Sequence, residues 1–129
     1  MGQLDEHFSV LIVDPGEAAS PVLRRMLGEI GINRVESVTN AMDALPLLRE
    51  GAIRLLMMDW VMEPMGGEEL LRSVRSTSET ASTSVMVVTA KAEPAQFFEA
   101  MDAGVDAYAV APFSTRILAA KLAAIPDDR

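Results

Sequence analysis

Short runs of apolar residues without polar alternation recur along the chain and predict buried strands. Three runs are strong: Ser9 to Val13, Leu55 to Met58 and Val85 to Val88. This continuous apolar pattern is typical of parallel strands that are covered by helices on both faces. Two weaker runs, Arg34 to Val38 and Ala107 to Val110, suit strands nearer the sheet edges. The pattern therefore predicts five strands.

The segments between these runs have apolar residues at helical spacing. The first predicted helix begins at Ser20 and Pro21, as cap and first-turn residues after an irregular stretch at residues 15–19, and it ends before Gly31. The other predicted helices are a segment from Asn40 to Glu50, then Glu68 to Arg75, Pro94 to Ala103 and Ser114 to Ala124. Strands that alternate with helices in this way favour right-handed crossovers, hence one parallel sheet inside a three-layer α/β sandwich.

The composition is that of one small acidic domain. The chain has 129 residues, half of them apolar, so we expect a single domain with one core. It has no cysteine, which excludes disulfides and thiolate metal sites. No signal-peptide pattern precedes Phe8 and no apolar run is long enough to cross a membrane, which favours a cytoplasmic protein without a membrane partner. The net charge of −8 opposes binding to nucleic acid.

Two carboxylates and a hydroxyl are predicted to meet at one edge of the sheet. Asp14 follows the first strand, Asp59 follows the third, and Thr89 ends the fourth. The carboxyl ends of parallel strands converge on a crevice in which ligands bind. Each residue alone has an ordinary explanation, such as a helix cap or a turn. Two acids brought close repel each other unless a cation lies between them, so together they favour a phosphoryl or Mg²⁺ site.

The order of the elements and the residues at the strand ends resemble the response-regulator receiver family, in particular its single-domain, chemotaxis-type, CheY-like members. The motifs that carry the resemblance are MDWVM at residues 58–62 followed by Gly66 and Gly67, VVTA at 87–90, DAGVDAY at 102–108, and Pro112 with Phe113. The resemblance spans nearly the whole chain. It implies a single receiver domain over residues 1–129 with a flavodoxin-like fold, a five-stranded parallel sheet of order 2-1-3-4-5 and five helices.

The resemblance also implies a role for several residues at the strand ends. Asp59 would be the phosphoacceptor, a nucleophile that takes a phosphoryl group from a sensor histidine kinase, a phosphotransfer protein or a small phosphodonor. Thr89 and the adjoining Ala90 would bind the phosphoryl group. Tyr108 would swing inward when Thr89 moves, so that phosphorylation reshapes the face around the last helices.

The implied metal site departs from the family pattern in its surroundings. Mg²⁺ would be bound by Asp14, by the Asp59 carboxylate and by the Val61 carbonyl. The family carries a second acid after its first strand as a direct metal ligand, but Pro15 stands there, so we expect weak Mg²⁺ binding. The family lysine that holds the phosphoryl group is likewise absent, because that position is Ala111.

Two residues are candidates to replace the missing groups. Lys91 stands two residues beyond Thr89 and is a candidate for the lost positive charge, although a solvated surface lysine is the more ordinary interpretation. Glu17 is a candidate metal ligand in place of the absent acid.

Three aromatic residues have open interpretations. Trp60 directly follows the proposed phosphoacceptor, and it is either a partly buried neighbour of the site or a surface residue. Phe97 and Phe98 lie on the fourth helix, where one is expected to pack inward and the other to be exposed as a contact for a partner.

Two functions remain open from the sequence. The first is a phosphorylation-dependent switch of a two-component phosphorelay, in which Asp59 controls a protein-interaction face. The second is a degenerate receiver that binds its partner independently of phosphorylation, as Pro15 and Ala111 suggest. An unrelated enzyme or nucleotide binder on a flavodoxin-like fold is least favoured, since the sequence has no Gly-rich phosphate loop and no Ser/His or Cys/His pair. The sequence ends shortly after the last predicted helix, so output through a downstream protein is expected.

Overall fold

Strands and helices alternate throughout the computed structural model, which describes residues 8–51 and 53–126. In chain order they are β1 (Ser9–Val13), α1 (Ala19–Ile30), β2 (Arg34–Val38), α2 (Ala41–Glu50), β3 (Ile53–Met58), α3 (Gly67–Arg75), β4 (Ser84–Thr89), α4 (Pro94–Ala103), β5 (Ala107–Val110) and α5 (Thr115–Ala123). Residues 1–7, where no signal peptide is expected, lie outside the described residues. Within the described ranges, each helix is too short or too polar to cross a membrane.

The strands form one parallel sheet in the order β2-β1-β3-β4-β5, which confirms the predicted fold class and strand order. Val10 of β1 is paired with Val35 of β2 on one side and with Leu55 of β3 on the other. The strand order reverses at β1 and β3, where successive crossovers leave in opposite directions. The carboxyl ends of these two strands therefore open onto the crevice that binds ligands in sheets of this kind.

Helices cover both faces of the sheet through two apolar layers. Leu11 and Leu56 belong to the layer that packs against α2, α3 and α4, whereas Val10 and Leu55 belong to the layer that packs against α1 and α5. Neighbouring residues of a strand point to opposite faces, so each central strand contributes to both layers. Continuous apolar strands and amphipathic helices thus produce the predicted three-layer sandwich.

The predicted start of α1 is wrong. The helix begins at Ala19, and Ala18 occupies the cap position without a side-chain hydrogen bond, so Ser20 is not the cap. The carboxylate of Asp14 instead accepts a hydrogen bond of 2.7 Å from the backbone N–H of Ser20. A helix can begin without its own cap residue when another side chain accepts a hydrogen bond from a free N–H of its first turn. Asp14 therefore joins the end of β1 to the start of α1.

The expectation that Phe97 or Phe98 packs inward is also wrong. Phe97 is 38% exposed and Phe98 is 62% exposed, so neither ring is buried. The buried residues of α4 are Gln96 and Ala100, which are four positions apart and share one face of the helix. Phe97 lies at the margin of that face. Both phenylalanines therefore add apolar surface to the exposed side of α4.

Candidate functional site

A cleft of about 310 Å³ lies at the carboxyl edge of the sheet. Its lining includes Asp14 at the end of β1, Asp59 and Val61 at the end of β3, Ala90 after β4 and Ala111 after β5. These residues are far apart in the sequence and meet here because the strands are parallel and aligned. The cleft thus brings together the two predicted acids and the position of the missing lysine.

The two acids of the cleft are constrained to different degrees. Both are half-buried. Asp14 accepts a hydrogen bond of 2.7 Å from the Ser20 N–H, so one of its oxygens is held at the start of α1. Asp59 accepts a hydrogen bond of 3.4 Å from the Val61 N–H, which is long for an N–H donor and therefore weak. Asp59 is the acid whose oxygen lone pairs are more available for a reaction.

Gly67 fixes the loop that follows Asp59. Its backbone N–H donates a hydrogen bond of 2.9 Å to the carbonyl oxygen of Trp60. A Cβ atom at position 67 would lie 2.9 Å from the Asp59 carbonyl oxygen and from the Trp60 Cα and carbonyl oxygen. All three of these are backbone atoms, which cannot move aside as a flexible side chain could. Only glycine therefore lets α3 begin so close to the proposed phosphoacceptor.

Trp60 is a buried neighbour of the site, with 5% of its surface exposed. Its indole N–H donates a hydrogen bond of 2.8 Å to the Glu99 carboxylate on α4. Sequence reasoning missed Glu99, because 39 residues separate the pair and no local motif relates them. The loop after Asp59 is therefore connected to α4 by a polar contact.

Thr89 and Tyr108 are buried beside the cleft and do not contribute to its lining. The Thr89 hydroxyl oxygen accepts a hydrogen bond of 3.1 Å from the backbone N–H of Lys91. The Tyr108 hydroxyl oxygen accepts one of 2.8 Å from the Gln96 side chain, and the Tyr108 ring meets the Phe97 ring edge-on with centroids 5.1 Å apart. The predicted switch tyrosine thus occupies an inward position against α4.

Lys91 and Glu17, the candidates to replace the missing groups, are exposed and lie outside the cleft lining. Glu17 has a left-handed backbone with φ of 61°, which is uncommon for a residue other than glycine. Its N–H donates a hydrogen bond of 3.2 Å to the Asp14 carbonyl oxygen, so it closes the turn after β1. The structure therefore brings the backbones of both candidates near the site and leaves their side chains outside it.

The donor atoms of the cleft are of the kind that Mg²⁺ binds. Asp14 and Asp59 offer carboxylate oxygens and Val61 offers a carbonyl oxygen, and proteins often hold Mg²⁺ with one or two carboxylates while water completes the shell. Pro15 and Ala111, which line the same cleft, add no side-chain donor. Across residues 8–51 and 53–126, no three acidic or histidine side chains gather to hold a metal. The oxygen donors of the cleft are therefore of the type that Mg²⁺ prefers, but there are few of them.

Comparison with known proteins agrees with this architecture. The model of the response regulator receiver domain matches residues 10–123. The chain is 33% identical over 119 residues to the chemotaxis protein CheY-3 of Vibrio cholerae serotype O1, and the match covers 92% of each protein. The chemotaxis protein CheY4 of Vibrio cholerae has a solved structure with a TM-score of 0.81 and 24% identity, covering 92% of this chain and 98% of that one.

A second solved structure has an occupied metal site. It is the receiver domain of a sensor histidine kinase from Pseudomonas aeruginosa, with a magnesium ion coordinated in its active-site cleft. Its TM-score is 0.79 at 22% identity, and the match covers 89% of this chain and 93% of that one. Both structural matches support the fold, whereas family membership is shown by the family model and by the identity with CheY-3. The chain belongs to the response regulator receiver domain family of two-component signalling.

Proposed function

We propose that this domain accepts a phosphoryl group on Asp59 and in response changes a surface that binds a downstream protein. The observation that carries the proposal is the position of Asp59, half-buried in the cleft with a weakly bonded carboxylate. The donor would be the phosphohistidine of a sensor kinase or phosphotransfer protein, or a small acyl phosphate. A receiver domain is a signalling module rather than an enzyme, and a cytoplasmic location belongs to the same proposal.

The transfer itself needs little from the domain beyond placement and charge compensation. A carboxylate oxygen of Asp59 attacks the phosphorus, a P–O bond forms, and the P–N bond to the donor histidine breaks as the histidine leaves. The Asp59 carboxylate is already anionic, so the attack needs no general base. Asp14, the Asp59 carboxylate and the Val61 carbonyl would hold Mg²⁺, which would supply positive charge beside the phosphoryl oxygens. Because Pro15 adds no ligand, we propose that this binding is weak.

Ala111 leaves the phosphoryl group without its family lysine. Two unit charges ~4 Å apart interact by about 4 kcal/mol at an effective dielectric of 20, so the loss of such a partner is substantial. Lys91 is the candidate replacement, because its backbone N–H contacts the Thr89 hydroxyl; its side chain lies outside the cleft in this structure and would have to turn inward. A Lys91→Ala variant with unchanged phosphorylation rate and phosphoryl lifetime would exclude it. Glu17 is tested in the same way by comparing the Mg²⁺ affinity of the wild type with that of a Glu17→Gln variant; an unchanged affinity would exclude Glu17 as a ligand.

The switch would extend from Thr89 and Ala90 through Tyr108 to the surface of α4 and β5. Thr89 would bind a phosphoryl oxygen and give up its contact with Lys91, and Tyr108, which is already inward in this structure, would then be held in that position. The surface nearby is apolar and exposed, and it includes Phe97, Phe98, Met101 and Val110. This surface is our candidate for the downstream protein.

A second candidate function is protein binding that does not depend on phosphorylation. It is favoured by one observation: Pro15 and Ala111 both line the cleft at positions where the family has charged groups. A domain without these charged groups could keep its fold and its partner surface after it has lost the capacity to be phosphorylated.

Trp60 provides the experiment, because it is the only tryptophan and lies next to Asp59. Its fluorescence is followed while Mg²⁺ and then acetyl phosphate are added to the wild-type protein and to Asp59→Asn, which has nearly the same shape. We expect a saturable, donor-dependent change in the wild type that is absent in the variant. Equal responses of the two proteins, or none at large donor excess, would favour the phosphorylation-independent function.

A further inference from the structure

Few buried side chains hold α4 in place. Its buried residues are Gln96 and Ala100, whereas the nine-residue α3 buries four of its residues. Phe97 is 38% exposed and Phe98 is 62% exposed, so neither ring is fully buried. Apolar burial therefore contributes less to the position of α4 than to that of α3, and hydrogen bonds contribute a larger share.

Two side-chain hydrogen bonds link α4 to the surroundings of the phosphoacceptor. Gln96 donates to the Tyr108 hydroxyl, and Glu99 accepts from the Trp60 indole, each over 2.8 Å. Gln96 and Glu99 are three residues apart, so they are neighbours on the helix surface. The first bond leads to the predicted switch tyrosine. The second leads to the residue that is covalently joined to Asp59.

We propose that Glu99 is a positioning residue that couples α4 directly to the phosphoacceptor loop through Trp60, in parallel with the path through Thr89 and Tyr108. The proposal rests on the proposed function of Asp59 and adds a second path by which its phosphorylation changes the α4 surface. A backbone displacement at Asp59 reaches the indole through a single peptide unit. The hydrogen bond then transmits that displacement to Glu99.

The geometry makes this contact sensitive to small movements. An indole N–H can only donate, and the Trp60 ring is buried whereas Glu99 is exposed, so losing Glu99 would leave this donor dependent on water that reaches it from the helix surface. The bond is charge-assisted, which makes it stronger than a bond between neutral groups. Hydrogen bonds weaken steeply when distance or angle departs from the favoured geometry. A displacement of the loop therefore favours a compensating movement of α4.

The first part of the test uses amide hydrogen exchange of α4 without phosphodonor in Trp60→Phe, Glu99→Ala and the double variant. Phenylalanine keeps an aromatic ring and removes the N–H. We expect each single change to accelerate exchange of the α4 amides on the order of tenfold, and the double variant to show no further increase, because both changes remove the same bond. Glu99→Gln, which keeps an acceptor oxygen, restores most of the protection.

Asp102→Ala is the matched control, since it removes an exposed carboxylate from the same helix. We expect exchange in this variant to stay at the wild-type level. Unchanged exchange in both single variants, additive effects in the double variant, or an equal effect of Asp102→Ala would each overturn the proposal.

The second part adds Mg²⁺ and acetyl phosphate and measures the change in α4 exchange per phosphorylated molecule, with the adduct counted by intact mass. The proteins are the wild type, Gln96→Leu, Glu99→Ala and the variant with both substitutions. We expect each single variant to keep part of the response and the double variant to lose it. A response that Gln96→Leu alone abolishes would overturn the Trp60 path. Absence of adduct in every protein would overturn the proposed phosphoacceptor function and the coupling with it. The intact mass shows this outcome independently of the exchange data, so it is distinguishable from a failure of the coupling alone.

Discussion

Asp106 at the amino edge of the sheet and Asp59 at its carboxyl edge lie in opposite environments. At the amino edge, the side chain of Asp106 is 2% exposed, lies 3.0 Å from the Arg75 guanidinium and accepts a hydrogen bond of 2.8 Å from the Val85 N–H. At the carboxyl edge, Asp59 is half-buried and accepts a weak hydrogen bond of 3.4 Å from the Val61 N–H. The same side-chain type is thus fully engaged at one edge and available at the other.

Arg75, the partner of Asp106, makes further hydrogen bonds at the amino edge of the sheet. Its guanidinium also donates hydrogen bonds to the carbonyl oxygens of Thr83, at 2.6 Å, and Ala81, at 3.2 Å. These contacts join the end of α3 to the start of β4 and, through Asp106, to the start of β5. Several partners offset the cost of removing the Asp106 charge from water. The comparison teaches that the lone pairs of Asp106 are used to hold the fold, whereas those of Asp59 remain available for a reaction.

The largest effect is expected from Asp106→Ala. The change removes the carboxylate that pairs with the partly buried Arg75 and accepts from the Val85 N–H, so the free energy of unfolding should fall by about 3 kcal/mol. The matched change Asp59→Ala should alter it by less than about 0.5 kcal/mol, because its carboxylate has weak contacts. Urea unfolding of both variants measures the difference. Equal losses would break the comparison between the two edges.

Gly67→Ala is expected to have the next largest effect. The added Cβ would meet the backbone of Asp59 and Trp60 at 2.9 Å, so the loop must move. We expect a loss of about 1–3 kcal/mol in the free energy of unfolding and slower phosphorylation of Asp59. Gly16→Ala is the control, since no heavy atom lies within 4 Å of a Cβ there. Similar behaviour of the two variants would show that the close approach at Gly67 does not position the site.

Pro15→Asp adds a second acid beside Asp14 at the carboxyl edge of the sheet, and so tests whether the missing acid limits Mg²⁺ binding. A carboxylate ~4 Å from a cation gains several kcal/mol at an effective dielectric of 20, and lost hydration offsets much of it, so the dissociation constant for Mg²⁺ should fall about tenfold. Calorimetry or Trp60 fluorescence measures it. Ala120→Asp, which adds the same charge on the exposed side of α5, should leave the constant unchanged. Tight Mg²⁺ binding by the wild type would contradict the expected weakness of the site.

The smallest effect concerns Glu29 on α1, which accepts a hydrogen bond of 2.5 Å from the Thr115 hydroxyl on α5. This bond lowers the pKa of Glu29, the charge of Arg25 adds to the shift, and desolvation opposes it. A lowered pKa in the folded state stabilises the fold above the pKa of the unfolded chain, and that contribution is lost as pH falls through the folded pKa. Thr115→Val should therefore raise the pKa of Glu29 in an NMR titration. An unchanged pKa would show that the hydrogen bond is not its main cause.

Much of the fold was predictable because the signals are local. The bounds of β1, β2, β5 and α4 agree with the prediction to the residue. Apolar runs mark the strands, and Gly104 ends α4 in the left-handed conformation that glycine allows. The convergence of Asp14 and Asp59 followed from parallel strands alone. Local sequence therefore determined both the layers and the edge of the sheet that carries the site.

The remaining features depend on contacts between distant residues. The start of α1 was wrong because Asp14 satisfies the Ser20 N–H from outside the helix. The hydrogen bond between Trp60 and Glu99 spans 39 residues, and that between Arg75 and Asp106 spans 31. No local sequence pattern predicts contacts over such separations. Such pairs exist only once the helices have packed against the sheet.

The central claim is that Asp59 accepts a phosphoryl group, and intact mass spectrometry tests it most directly. The wild type and Asp59→Asn are incubated with Mg²⁺ and acetyl phosphate, and the modified residue is located in peptides. The account predicts that the wild type gains the mass of one phosphoryl group, borne by the peptide that contains Asp59, and that the variant gains none. No gain by the wild type at large donor excess, or an equal gain by both proteins, would contradict it.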